Sequence, residues 1–177
     1  MKKTVLIVII LLLGPGSVFA DGQFVQKVLN IDLLRLLDGE QVKLIGIEVD
    51  QGQKEQAMDF IRSLVSGSVV ALEYDVEKRD PQGNLLAYVW FEYEPPDDKD
   101  RLNFPENFDV HYVVDEEGEG SFYVLLNTTV VKAGYAKPQE TLPNSKYSSL
   151  LNKIYEENVI TTAKAISELD TAMVGWQ

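Results

Sequence analysis

The chain contains no cysteine and a single histidine, His111, among its 177 residues. The lack of cysteine excludes disulfides, cysteine nucleophiles and a lipid-modified cysteine at a processing site. A lone histidine with no catalytic partner near it in the sequence argues against Ser/His/Asp chemistry and against histidine-based zinc sites.

Long apolar runs are also scarce. The main one, Val5 to Leu13, is about half of the roughly 20 residues that span a bilayer. Lys2 and Lys3 precede it, and small residues ending at Ala20 follow it, which is the layout of a secretory signal peptide. We expect residues 1–20 to be cleaved near Ala20, giving a periplasmic or secreted protein without stable membrane insertion. The alternative is an uncleaved anchor.

Basic residues are also few in comparison with acidic ones. The chain has 16 basic and 28 acidic residues, and loss of Lys2 and Lys3 with the leader changes the net charge from −12 to about −14. An excess of this size repels polyanions unless a local basic patch or a bound cation offsets it. We therefore expect a protein, peptide or glycan partner in the envelope or medium, and a nucleic acid only if a metal site survives.

Residues 21–177 are enough for one domain. The residues up to Val49 have a strand-like pattern that Asp38-Gly39-Glu40, a strong hairpin signal, divides in two. The segment "VKLIGIEV" is predicted to be one buried strand. "KEQAMDFIRSLVSG" has helical spacing and stops at Gly67. "SVVALEYDVEKRD" and "LLAYVWFEY" are strands joined by the turn "DPQGN". This order predicts a small barrel or a compact α+β domain.

The second half begins with an insertion at about 94–121 that carries three of the seven prolines and many acids. Only "DVHYVV" within it reads as a strand, and the insertion is a candidate docking element for an envelope partner. After it, "FYVLLNTTVVKAGYAKP" predicts a strand followed by a short helix that ends at Gly134. The remainder, from Tyr147, predicts one amphipathic helix or two.

Four segments resemble a known family in their order and spacing: "VKLIGIE", "LEYDVEKRDPQGNLLAYVW", "LLNTTVVKAGYA" and the closing "GW". They are similar to the patterns R-L-x-G-I-D-T-P-E, D-x-x-G-R-x-L-A-Y-V and L-N-x-x-L-V-x-x-G-Y-A of the staphylococcal nuclease-like (thermonuclease) family. The resemblance implies a five-stranded OB-fold, a β-barrel with helices of the α+β class. It also implies calcium-dependent cleavage of DNA and RNA in active members.

The metal positions that the resemblance implies are partly kept. The family's D-G-D-T turn is "NIDL" here, so Asp32 keeps the second aspartate and Asn30 replaces the first. Glu48 stands where the next aspartate would be and carries its carboxylate one methylene further out. We expect Asp32 and Glu48 to retain a cation site, with Ca²⁺ the possible but not required cofactor.

The catalytic positions that the resemblance implies are mostly lost. Gln51 stands at the position of the glutamate base, Lys43 at that of one arginine and Asn84 at that of the second. A glutamine amide takes no proton, asparagine brings no charge, and lysine lacks the planar fork that grips two phosphate oxygens. Loss of a general base alone lowers rates about 10²–10⁴-fold. The sequence therefore favours a non-catalytic binding or interaction module.

A shifted register gives the alternative, a calcium-dependent nuclease. Glu48 and Asp50 are two apart on a predicted strand, and with Asp32 they would form a three-carboxylate cluster. Lys43 would then contact phosphate, and Glu55 or Glu48 would lie near the water. Asp50 and Glu55 are otherwise solvated acids, with Glu55 favourable near a helix N-terminus.

Four aromatic residues lie on the strand "LLAYVWFEY". Tyr88 and Trp90 share one face, for which we expect core packing. Phe91 and Tyr93 share the other face and are the candidates for contact with a ligand, since aromatic rings on barrel strands can stack on bases.

Overall fold

The computed structural model describes residues 22–49, 51–93, 110–114 and 120–174, and only the backbone of 51, 110–114 and 164–174. The leader and its cleavage site, Asp50, Trp176 and most of the acidic insertion lie outside this part of the chain.

The described residues form nine strands and three α-helices. In chain order these are β1 (Gln23–Asn30), β2 (Leu33–Leu36), β3 (Gln41–Leu44), β4 (Ile47–Val49), a 3₁₀ turn (Gln51–Gln53), α1 (Lys54–Val65), β5 (Val69–Glu73), β6 (Leu85–Tyr93), β7 (Val110–Val114), β8 (Gly120–Leu125), α2 (Leu126–Lys132), β9 (Ala136–Pro138) and α3 (Ser148–Val174).

Five strands close into a barrel. Antiparallel neighbours run in the order β3, β2, β1, β5, β6, and β3 pairs with β6 in parallel, with Val42 opposite Leu85, so that the sheet has no free edge there. β8 and then β7 extend the sheet beyond β6. The expected five-stranded OB-fold with helices is confirmed.

The hairpin between β2 and β3 is also where it was expected. Gly39 has φ of 92°, a left-handed conformation that only glycine adopts without strain, and Leu34 lies opposite Val42 in the ladder.

The prediction of one strand through "VKLIGIEV" is wrong. The segment breaks at Gly46, which has φ of 81°, and β4 leaves the barrel to pair with β9. A Cβ on Gly46 would lie 2.7 Å from Leu151 Cδ1 of α3, so the turn needs glycine for its backbone and for its space. The break sends Lys43 and Glu48 to different sheets.

The barrel interior and the layer under its helices form the main core. Helix α1 contributes Ala57, Ile61 and Val65, which recur at four-residue spacing and are completely buried. The strand residues of this core alternate with outward ones, as in Ala87, Val89 and Phe91 on β6.

A second cluster covers the outer face of β5, β6 and β8. Its buried members are Ile45, Ala71, Leu86, Tyr88, Trp90 and Leu125. The segment before α3 lies over it, since Asn144 accepts from Glu77 N at 2.8 Å and donates to Glu77 O at 2.9 Å. Tyr88 and Trp90 are buried as expected, but on the outside of the barrel wall.

The C-terminal segment is one helix, α3, so the single-helix alternative holds. Asn158 donates to the carbonyl oxygens of Val131 and Lys132 at the end of α2, which joins the two helices. Among the residues that the structure describes, no helix combines the length and apolar character that crossing a membrane requires.

Candidate functional site

Asp32 lies in the two-residue turn between β1 and β2. Its backbone oxygen accepts from Leu44 N at 2.8 Å, which holds the turn against the end of β3. Its half-buried carboxylate accepts from Asn30 Nδ2 at 3.0 Å through Oδ1. The same asparagine leaves its own Oδ1 buried without a hydrogen-bond partner. Asn30 therefore orients Asp32 and adds a second oxygen near it.

Glu48 is exposed on β4, directly opposite Lys137 of β9. Opposite charges in this cross-strand position stabilise a ladder by roughly 0.2–1 kcal/mol. Glu48 and Lys137 are therefore oppositely charged neighbours across this ladder.

Glu55 lies in the first turn of α1 and is exposed. A carboxylate there is favourable beside the positive end of the helix dipole, as the solvated-acid interpretation expects. The side chain of Gln51 and all of Asp50 lie outside the described residues.

The residues that the structure describes bring no three acidic or histidine side chains together in a way that could hold a metal ion. Ca²⁺ prefers six to eight oxygen ligands, several of them carboxylates. Asp32 with the Asn30 amide provides only the beginning of such a set, and the tentative third ligand, Asp50, is untested.

Lys43 points outward from β3, half-buried, between Leu33 of β2 and Leu86 of β6. The positive charge of Lys43 helps to lower the pKa of Asp80, which lies at the start of the turn between β5 and β6. The lysine therefore lies at the border between the β2–β3 hairpin and that turn.

Asp80 closes its own turn through three hydrogen bonds. It accepts from Gln82 N at 3.0 Å, from Asn84 N at 2.9 Å and from Asn84 Nδ2 at 2.9 Å. Burial by itself would raise the pKa of the Asp80 carboxyl, but these bonds, together with the charge of Lys43, hold its pKa below the ordinary value. The side-chain amide of Asn84 is thus used within the turn.

An exposed ion pair connects the same turn to the β2–β3 hairpin. Arg79 donates to both oxygens of Glu40, at 2.9 and 3.1 Å, and to Gly83 O at 2.6 Å. The hydrogen bond from Arg79 holds the pKa of Glu40 below its usual value. Sequence reasoning missed this pair, because the two residues are far apart along the chain.

No family model matches the chain. A thermonuclease from Staphylococcus intermedius is 25% identical to it over 153 residues, which cover 80% of this chain and 73% of that protein. The likeness extends along most of both chains. The closed barrel is also of the kind that the sequence patterns implied. This weak likeness and the closed barrel are together consistent with a divergent thermonuclease-like domain.

On the alignment that the sequence resemblance implies, several positions of the family's site differ in this chain. Asn84 stands at the position of the second arginine, and its amide is bonded to Asp80. Lys43 stands at the position of the first arginine and is outward and half-buried. Asp32 remains in its turn, with Asn30 bonded to it in place of the family's other aspartate.

The expectation that Phe91 contacts a ligand is wrong. Phe91 is 2% exposed and belongs to the main core, because its side of β6 faces the barrel interior. Tyr93 is half-buried and packs against the same core, so it offers only part of its ring. Which side of a strand faces inward depends on barrel closure, and "LLAYVWF" is apolar on both sides.

Proposed function

We propose that this thermonuclease-like domain is an exported, non-catalytic binding module. The observation that carries the proposal is the bond from Asn84 Nδ2 to Asp80 Oδ2, because it uses the side chain at the second arginine position to close a turn. Phosphodiester hydrolysis needs positive charge fixed on the transition state and a group that activates water. Asn84 supplies no such charge, and Gln51 supplies no base.

Two features support the rest of the proposal. Residues 1–20 have the layout of a signal peptide, which supports export to the periplasm or medium. The closed barrel gives the domain a rigid surface with which to bind a partner.

The second candidate function is a calcium-dependent nuclease with a rearranged site. Asp32 and the partnerless buried Oδ1 of Asn30 favour it, since both are oxygen atoms of the type that Ca²⁺ binds. Asp50 would have to complete the metal site, with Glu48 or Glu55 near the water.

Hydrolysis of a labelled single-stranded oligonucleotide by the purified protein separates the two candidates. The assay is run with Ca²⁺ and with chelator, beside Asp32→Ala. The non-catalytic module predicts that cleavage stays at the level of the Asp32→Ala control under both conditions. Calcium-dependent cleavage that Asp32→Ala abolishes would overturn it in favour of the nuclease.

A further inference from the structure

The last helix, α3, runs on past the part of the domain that covers it. Near its beginning, Leu151 is completely buried and Ile154 is 8% exposed. Asn158 then donates to two carbonyl oxygens at the end of α2. The side chains of the next five residues, 159–163, are all exposed. The helix nevertheless continues to Val174, so it extends about 24 Å past Asn158.

The apolar side of α3 continues along this extension. At 100° per residue, a sector about 120° wide centred on Leu151 contains six positions beyond Asn158. They are Thr162, Ala165, Ile166, Leu169, Ala172 and Met173. The charged residues beyond Asn158 are Lys164, Glu168 and Asp170, and all of them fall outside the sector. We call the six uncharged positions the distal stripe.

Thr162 marks where the cover of this side ends. It lies roughly three helical turns after Leu151 and on the same side of the helix. Leu151 is completely buried, whereas Thr162 is exposed. Val159 and Ile160, just before Thr162, are 50% and 67% exposed. The side of α3 that packs on the domain is therefore open to solvent from Thr162 onward in the part of the helix whose side chains the structure describes.

The extension needs a packing partner to remain helical. It begins with four β-branched residues, a class of weak helix propensity: Val159, Ile160, Thr161 and Thr162. A helix of about 16 residues is marginal by itself in water, and most helical stability in proteins comes from packing an apolar side. Residues 159–174 therefore gain more from being covered than the buried beginning of α3 does.

Two other occupants fit the distal stripe poorly. The insertion at about 94–121 carries three prolines and many acids, so its composition offers no matching apolar stripe. Helices that lie on lipid surfaces carry Lys and Arg on their polar side. Beyond Asn158, α3 carries Lys164 against Glu168 and Asp170, which gives a slightly acidic polar side.

A second copy of this chain fits the distal stripe well. It supplies an uncharged stripe of the same length, so the two can pair about a two-fold axis. Ala165 and Ala172 are small and favour a close approach of the two helices. Antiparallel pairing also keeps the two acidic domains at opposite ends of the helix pair, which limits the repulsion between copies that each carry a net charge of −12.

We propose that the distal stripe binds the distal stripe of a second copy and forms an antiparallel dimer. The dimer does not depend on whether the domain cleaves nucleic acid. A stripe of about 24 Å is short for a specific interface, which typically buries roughly 1,200–2,000 Å². We therefore expect a dissociation constant in the micromolar range and a dimer that forms as concentration rises.

Sedimentation velocity of the purified protein from about 1 to about 500 μM tests the dimer. The parent should change from monomer to dimer across this range. Ile166→Glu with Leu169→Glu should raise the dissociation constant at least about a hundredfold, because pairing would bury unpaired carboxylates. The matched control, Ser167→Glu with Thr171→Glu, adds the same charge on the opposite side of α3 and should stay within about threefold of the parent. A monomeric parent, or equal loss in both variants, would overturn the proposal.

A variant that strengthens association separates pairing from loss of folding. Thr162→Leu adds apolar surface at an exposed position of the distal stripe, so the dissociation constant should fall roughly tenfold. Thr171→Leu makes the same change on the opposite side of the helix and should leave the constant near that of the parent. Unchanged or weaker association of Thr162→Leu would overturn the proposal.

Spin labels measure the orientation of the two copies. The chain has no cysteine, so Lys153→Cys provides a single labelling site at an exposed position of α3. Antiparallel pairing centred between Ile166 and Leu169 should place the two labels about 40 Å apart. A distance under about 20 Å would overturn the antiparallel arrangement. A monomer that instead sediments with phosphatidylcholine vesicles, and loses this binding in Ile166→Glu with Leu169→Glu, would overturn the dimer in favour of a lipid surface.

Discussion

The two outer faces of the barrel differ in whether their charged side chains have partners within the described part of the chain. On the face of β5, β6 and β8, the carboxylate of Glu73 is only 7% exposed and accepts from Trp90 Nε1 at 2.8 Å, from Tyr147 OH at 3.0 Å and from Lys146 Nζ. On the face of β1, β2 and β3, Lys27 and Arg35 oppose each other without an ion pair among the described residues.

The difference follows from what covers each face. The segment before α3 lies over Glu73 and brings Lys146 and Tyr147 to it, so the polar groups there are satisfied by the chain itself. On the face of β1, β2 and β3, Lys27 is exposed, so solvent screens its charge.

The largest expected effect comes from breaking the covered face. Glu73→Ala removes the acceptor shared by the Trp90, Tyr147 and Lys146 donors, and we expect the free energy of unfolding to fall by roughly 2–4 kcal/mol. Urea denaturation followed by tryptophan fluorescence measures the loss. The control is Glu77→Ala, since Glu77 is exposed and its hydrogen bonds to Asn144 use only its backbone. Equal destabilisation by both variants would contradict the role of the Glu73 network.

A smaller effect comes from giving the open face the pairing that the covered face has. Lys27→Glu places a carboxylate opposite Arg35, so we expect the free energy of unfolding to rise by about 0.2–1 kcal/mol. Urea denaturation measures the change. Lys153→Glu on α3 makes the same charge change and should alter the free energy of unfolding little. A loss of stability in Lys27→Glu would show that the opposed cations do not repel each other.

The smallest effect concerns Asp80 at the border of the open face. Its pKa is lowered in the folded state, so it contributes stability that is fully present above its unfolded pKa of about 4 and is lost as pH falls through the lowered folded pKa. Asp80→Asn should therefore be less stable than the parent near neutral pH, and the difference should shrink below about pH 4. Urea midpoints measured along a pH series test this. A constant difference at every pH would show that the Asp80 charge is not the cause.

The local features of the fold could be predicted from the sequence. The hairpin at Gly39, the end of α1 before Gly67 and the end of α2 before Gly134 all depend on neighbouring residues, and these three glycines have positive φ. The helical spacing of the apolar residues in α1 likewise predicts that Ala57 and Ile61 share one buried face, and both lie in the core.

The candidate site was predictable only in its residue types. The resemblance marked Asp32 as a retained family position and Glu48 and Asn84 as substituted ones. It did not predict that Asn84 would close the turn of Asp80 or that Glu48 would lie opposite Lys137. The burial of Phe91 escaped prediction because both sides of β6 are apolar and barrel closure decides which side is inside.

The sequence by itself determined the turns, the helix ends and the absence of cysteine chemistry. Those depend on residue identity and on contacts within a few positions. Only the tertiary structure decided that Gly46 divides a strand in two, that Glu73 is enclosed by Trp90 and Tyr147, and that Lys27, Arg35 and Lys43 share one face. Each of these depends on pairing between distant segments, and the register of that pairing is set by closing the barrel around a single core.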